Sequence, residues 1–219
     1  MTLQDSTQAK VWRVIPLDAN AHPHAPWWHD EGHSLARTFN DFLIIPRASV
    51  MALLHRYAAL VPSDWLADLT EQTVATLEAI EDDAFAGGGD SLRYALRLAE
   101  TEVLPQSYKD RFVSRLCRLS LKFVTRDSQE WGGYVATPLK VAPTPDALVA
   151  DILRDGLEEN LDYQIDHQTP VGTWEPTWTW GDFYPSVWEQ VKLEWYGALT
   201  LETLTTLQAF GRIEETGGK

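Results

Sequence analysis

The chain of 219 residues holds one cysteine, Cys117. One thiol closes no internal disulfide and builds no zinc site by itself. No apolar stretch reaches the roughly 18 residues that cross a bilayer, so no stable membrane insertion is expected. The opening MTLQDSTQAK has no apolar signal core, which makes a cytoplasmic protein the economical expectation. Basic residues are scarce: 18 Lys and Arg face 32 Asp and Glu, a net charge of −14. Such a surface repels phosphate backbones, and no Lys/Arg-rich run offsets it, so nucleic acid is not an expected partner. There is no G-x-S-x-G for a serine nucleophile. Gly87-Gly88-Gly89-Asp90 lacks the lysine of a phosphate loop, and Cys117 reads as a small core residue beside Leu116 and Leu119.

What remains is an ordinary globular composition, 44% hydrophobic and 23% charged, which excludes wholesale disorder. Tryptophan is in excess. Ten are present; six lie between Trp131 and Trp195, and four of those between Trp174 and Trp188. Indoles bring large apolar area, a rigid face and one N–H donor. Clustered, they build cores, apolar pockets or cation-binding walls.

The length suits one domain, read as 1–219 with an irregular arm (1–45), a helical core (46–211) and a short tail (212–219). Within the arm, KVWRVIPLD reads as a short extended segment and AHPHAPWWHDEGH as an ordered, proline-broken stretch. Beyond it, helical periodicity dominates. Val50, Leu53, Leu54, Tyr57 and Val61 mark one buried stripe. Leu66, Leu69, Thr73, Leu77 and Ile80 mark a second. Asp90 opens a helix expected to reach Val103, and Leu104-Pro105 breaks it. Tyr108, Phe112, Leu116, Leu119 and Phe123 form the next stripe. Thr144-Pro145-Asp146 is expected to open a long helix carrying Leu148, Ile152, Leu157, Leu161 and Ile165. A Trp-rich loop follows from Thr169 to Pro185. Ser186 then begins a helix through Trp195, which Gly197 and Thr200 separate from a last one ending at Gly211. About seven helices, paired by short links with almost no strand, predict an all-α protein built of helical hairpins.

Two loops share a plan. Gln129-Glu-Trp131-Gly-Gly-Tyr134 and Gln168-Thr-Pro-Val-Gly172-Thr-Trp174 each lead from one helix to the next, about 43 residues apart. A period of this size with one hairpin per unit indicates repeat architecture. The second loop reads Q-x-x-x-G-x-W in full and resembles the QW motif of the squalene/oxidosqualene cyclase and protein prenyltransferase superfamily. HPHAPWW, PLKVAPTPD (138–146) and WEPTWTWG…YPSVWEQ…EW (174–195) look like the small prenyltransferase- or squalene-cyclase-like proteins. That resemblance implies a partial α/α toroid around an apolar concavity. It also implies that Gln168, Gly172 and Trp174 tie one helix to the next. The motifs that carry the chemistry of those enzymes are missing: there is no D-x-D-D, no D-x-C and no D-D-x-x-D, and Glu81-Asp82-Asp83 has the wrong spacing.

Candidate functional residues gather around the aromatics. Trp131, Tyr134, Trp178, Trp180, Tyr184, Trp188 and Trp195 are expected to wall a pocket. His24, Trp27 and Trp28 are expected to close over it. Beside them, Glu189, Asp182 and Glu175 are the acid/base candidates, with Glu194 a further carboxylate. A carboxyl group held in an apolar wall has a raised pKa and can move a proton. Lys192, three residues from Glu189, offers the alternative of a salt bridge. His22, His24, His29 and His33 fall within twelve residues, yet H-x-H alone does not define a metal site, and no metal or cofactor is expected. Two functions follow. One is a cyclase-like enzyme that guides a hydrophobic, isoprenoid or polyketide-like intermediate through cyclisation or rearrangement. The other is a non-catalytic module that binds a hydrophobic small molecule or a protein, with a homodimer as one way to cover its apolar edges.

Overall fold

The computed structural model describes residues 3–5, 10–12, 18–22, 24, 29, 32, 44–183 and 185–213. Trp27, Trp28 and Tyr184, expected at the pocket, and His33 of the histidine cluster lie outside these residues. Near the start, β1 (Leu3–Asp5) and β2 (Lys10–Trp12) pair antiparallel, with Gln4 opposite Val11, where KVW predicts an extended segment. Among the described residues the remaining regular elements are helices, the α-helical ones being α1 (Arg47–Arg56), α2 (Ser63–Ala79), α3 (Asp90–Ala99), α4 (Gln106–Phe123), α5 (Pro138–Val141), α6 (Arg154–Asp166) and α7 (Pro185–Ala209). The all-α expectation therefore holds for the described core. The residues form two compact units, Met1–Ala86 with Asp90–Leu119, and Gly87–Gly89 with Ser120–Lys219. The division falls inside α4, where no change of composition marks it.

In the first unit α1 packs against α2 and α3. The buried face of α1 is not the expected stripe. Arg47, Ala48, Met51, Ala52 and His55 are buried, while Leu53 and Tyr57 are exposed. Small residues on the contact face let the helices approach, and the larger apolar side chains point away. The stripe of α2 is close to expectation, with Leu66, Leu69, Thr73 and Leu77 buried. α3 stops at Ala99 rather than Val103, because Thr101 and Leu104 close turns on Leu98 and Thr101. Three arginines on α4 then clamp the end of α2. Arg111 bonds Glu71 and Glu78. Arg115 donates to the carbonyls of Leu77, Glu78 and Ile80 and to Asp82. Arg118 also bonds Asp82. A guanidinium on the last carbonyls satisfies acceptors that a helix end leaves open. Asp82 thus serves as an anchor for two arginines.

In the second unit α6 packs on α5. The side chain of Asn160 accepts from the amide of Leu139 at 3.1 Å. A Cβ at Gly156 would meet Pro138 at 3.2 Å, which is why glycine suits this crossing. The long helix expected from Asp146 is shorter. Thr144-Pro145-Asp146 forms a turn in which Thr144 bonds the Asp146 carboxylate and holds it below the usual range. A 3-10 turn (Asp151–Leu153) precedes α6, leaving Leu148, Ile152 and Ile165 exposed while Leu157 and Leu161 are buried. The short α5 escapes periodicity analysis. It is set by Pro138 in its first turn and by Thr137, whose hydroxyl accepts from the Lys140 amide. The two last helices predicted from the sequence are one, α7. Gly197 costs a helix about 1 kcal/mol, too little to break 25 residues. Its end is as predicted: Gly211 has φ +67°, its amide bonds Gln208, and Arg212 bonds Leu207.

Candidate functional site

The second unit carries Trp131, Tyr134, Trp178, Trp180, Trp188 and Trp195 of the expected set. Two tryptophans are buried and tied to backbone. Trp131 donates its indole N–H to the carbonyl of Thr125 at 3.0 Å, and Trp174 donates to that of Gln164 at 2.8 Å. Around Trp174 the loop closes on itself. The Gln168 side chain donates to the carbonyl of Gly172, and Gly172 has φ +84°, a conformation glycine adopts without strain. Thr169 and Thr173 bond through both side chain and backbone. The Trp174 amide donates to the hydroxyl of Thr200 on α7. Trp131 meets the edge of Tyr163, which stacks on His167 at 3.7 Å. The positions of Trp131 and Trp174 are therefore those of loop anchors.

Four other indoles form a separate cluster. Trp195 meets Trp178 at 5.5 Å and Trp180 at 6.1 Å, both edge to face, and Trp180 meets Trp188 at 5.7 Å. The loop supplies Trp178 and Trp180. α7 supplies Trp188 and Trp195, two turns apart on one face. Gly181 allows the chain to turn against Trp188, since a Cβ there would lie 3.2 Å from its ring. The cluster is half-exposed, with Trp178 at 40% of its full accessibility. No residue of α7 before Thr206 is buried. Indole faces in this state present π surface and apolar area to water, the chemistry that takes up a flat, polyene or cationic ligand.

The acid/base candidates lie beside this cluster but in solvent. Glu175, Asp182, Glu189 and Glu194 are exposed. Glu189 pairs with Lys192 at 2.5 Å and holds its ammonium above the usual lysine range. Glu175 bonds the hydroxyl of Tyr196; burial first, and this carboxylate second, push the phenol up.

The remaining candidates are dispersed. Tyr134 is exposed, with its ring over Gly87 and Gly88 and the Lys140 ammonium 5.6 Å above it. It borders a groove of about 520 Å³ with Gly87, Lys122, Thr125, Arg126 and Glu130. None of Trp178, Trp180, Trp188 or Trp195 lines that groove. His24 stacks on His29 at 5.4 Å with ring nitrogens 3.1 Å apart. Among the described residues, no three His, Cys, Asp or Glu side chains converge as metal ligands. Cys117 is half-buried, and burial raises its thiol, which opposes thiolate chemistry.

One polar seam is absent from the sequence expectations. Between α1 and α2, Arg47 Nε donates to Thr73 Oγ1 and His55 Nε2 lies on Thr70 Oγ1, each at 2.8 Å. Thr73 spends its own hydroxyl proton on Leu69 O, and Thr70 spends its proton on Leu66 O. His55 is therefore the donor, in its Nε2–H form. Burial lowers its pKa, which favours the neutral ring. A signal exists in the sequence: Arg47, Met51 and His55 follow at four-residue steps, which puts both basic residues on one face of α1.

No protein family, curated protein or solved structure matches the chain. The fold and the site define a helical protein with a half-exposed tryptophan cluster, and no described helix is long and apolar enough to cross a membrane.

Proposed function

We propose that this chain binds an apolar, isoprenoid- or polyketide-like small molecule through Trp178, Trp180, Trp188 and Trp195, without chemistry of its own. The observation that carries this reading is the cluster itself. Four indoles from a loop and a helix contact one another yet stay half-exposed, while the chain's two anchoring tryptophans are buried. Burying several half-exposed indole faces under a ligand at about 25 cal/mol per Å² supports useful affinity. The cyclase-like reading draws on the same cluster and on the resemblance to the α/α-toroid cyclases and prenyltransferases. It needs a carboxyl group shut inside an apolar wall. Glu175, Asp182 and Glu189 lie in water, so binding is the better-supported of the two.

A second reading, association with a protein or a second copy, has its own observation. Leu193, Gly197, Leu201 and Leu204 follow at steps of four, four and three residues along α7, and the three leucines are exposed.

Tryptophan-fluorescence titration tests the main reading, comparing squalene and geranylgeraniol with isoprenoid diphosphates, with and without magnesium. Saturable quenching by a neutral isoprenoid is expected. Flat titrations across the panel defeat the isoprenoid assignment. Sedimentation equilibrium of wild type against Leu201→Glu measures self-association through α7.

A further inference from the structure

Arg47 is a buried charge without a counter-ion among the described residues. It is 1% exposed, and neither Nη1 nor Nη2 has a hydrogen-bond partner. Its one bond, from Nε, goes to the neutral hydroxyl of Thr73. The helices packed on α1 bury Leu66, Leu69, Val74 and Leu77 from α2 and Leu92, Ala95, Leu96 and Leu98 from α3; the polar exceptions are Thr70 and Thr73. His55 is a donor here and supplies no negative charge. Among the described residues no carboxylate pairs with Arg47. A guanidinium does not deprotonate in proteins, and an uncompensated buried charge is among the most destabilising features a core can hold. Four N–H groups in a planar fork, shut from water with no acceptor, define the chemistry of what is missing: two oxygens of one anion.

We propose that the α1–α2 seam binds a small oxyanion, a carboxylate or phosphate, on Nη1 and Nη2 of Arg47, as a structural ligand of the first unit. Thr73 fixes the fork by accepting from Nε, leaving both terminal nitrogens for the anion. The site is independent of the tryptophan cluster. Because the anion binds the folded state and has no site in the unfolded chain, occupancy appears as stability.

The test is a thermal melt of the whole chain in inorganic phosphate, in acetate and in chloride at matched ionic strength. Tm is expected to rise saturably in phosphate or acetate over chloride, by about 3–5 °C at ten times the dissociation constant. The better anion of the two identifies the oxygen geometry. Arg47→Met is expected to lose this response and to melt in chloride no lower than wild type, since it removes the buried charge. Arg47→Lys keeps the charge without the fork, and at least a tenfold weaker response is expected. Equal Tm in all three salts overturns the proposal, as does an Arg47→Met response equal to wild type. If Arg47→Met does not fold, the wild-type melts and Arg47→Lys decide.

Discussion

The two units place their polar groups differently. The first gathers buried ones in a single seam: Arg47, His55, Thr70 and Thr73 all lie between α1 and α2, and a row of arginines on α4 closes the end of α2. The second brings polar partners to its aromatics at the loops. Trp131 and Trp174 sink into the unit with their N–H groups on loop and helix-end carbonyls, and four further indoles remain at the surface. The difference separates buried anchors from half-exposed faces within one residue type. An indole that is buried with its donor on a backbone carbonyl holds a loop. One that is half-exposed among other indoles leaves its faces open, as the proposed ligand site requires.

Removing an anchor has the largest expected effect. Trp174→Ala empties a buried site and strands the carbonyl of Gln164, at a cost of about 3–5 kcal/mol. Trp174→Phe keeps one aromatic ring but loses the donor and part of the indole's buried volume, and costs less, about 1–3 kcal/mol. Urea unfolding measures both. Similar losses from Trp178→Ala would erase the distinction between anchor and cluster.

The glycine loop of the second unit sharpens the same point at a smaller scale. At Gly89, φ is +83° and an added Cβ would sit 2.8 Å from Ala136, which is buried; at Gly88 the obstacle is the exposed ring of Tyr134, 2.5 Å away. A flexible surface ring can swing aside, whereas a strained backbone against the buried Ala136 cannot. Gly89→Ala is therefore expected to cost about 1–3 kcal/mol and Gly88→Ala clearly less, again by urea unfolding.

Acid tests the first unit. Burial lowers the pKa of His55 in the folded chain below its unfolded value near 6.5. The unfolded state then binds the proton more readily, so stability rises with pH through this window and falls as pH drops below about 6.5. Thermal melts between pH 7.5 and pH 5 are expected to show this slope in wild type and a shallower one in His55→Gln. Equal slopes would remove His55 as the acid-sensitive group.

Most of the helices were legible from periodicity, because α2 and α4 each bury one apolar stripe. So was the glycine stop of α7. α1 misleads because its contact face is made of alanines, one methionine and two basic residues, and a reading that follows bulk apolar residues selects Leu53 and Tyr57 instead. Continuity through Gly197 was not legible, since a lone glycine weakens a helix without ending it. Within the aromatic set, composition identifies the tryptophans but not their states. What sorts Trp131 and Trp174 from Trp178 and Trp195 is whether a backbone carbonyl from elsewhere in the chain reaches the indole, and that is a property of the folded loops.

Trp178→Ala should have the smallest effect on stability and the largest on binding. Trp178 is 40% exposed and meets the edge of Trp195, so truncation is expected to cost no more than about 1 kcal/mol. The face it presents would still be lost to a ligand, and with it the edge-to-face support of Trp195. Quenching by a neutral isoprenoid should weaken at least tenfold in this variant while urea unfolding changes little. Glu189→Gln supplies the control: it breaks the exposed pair with Lys192 without touching an indole face, and leaves the titration unchanged if binding rests on the aromatic cluster.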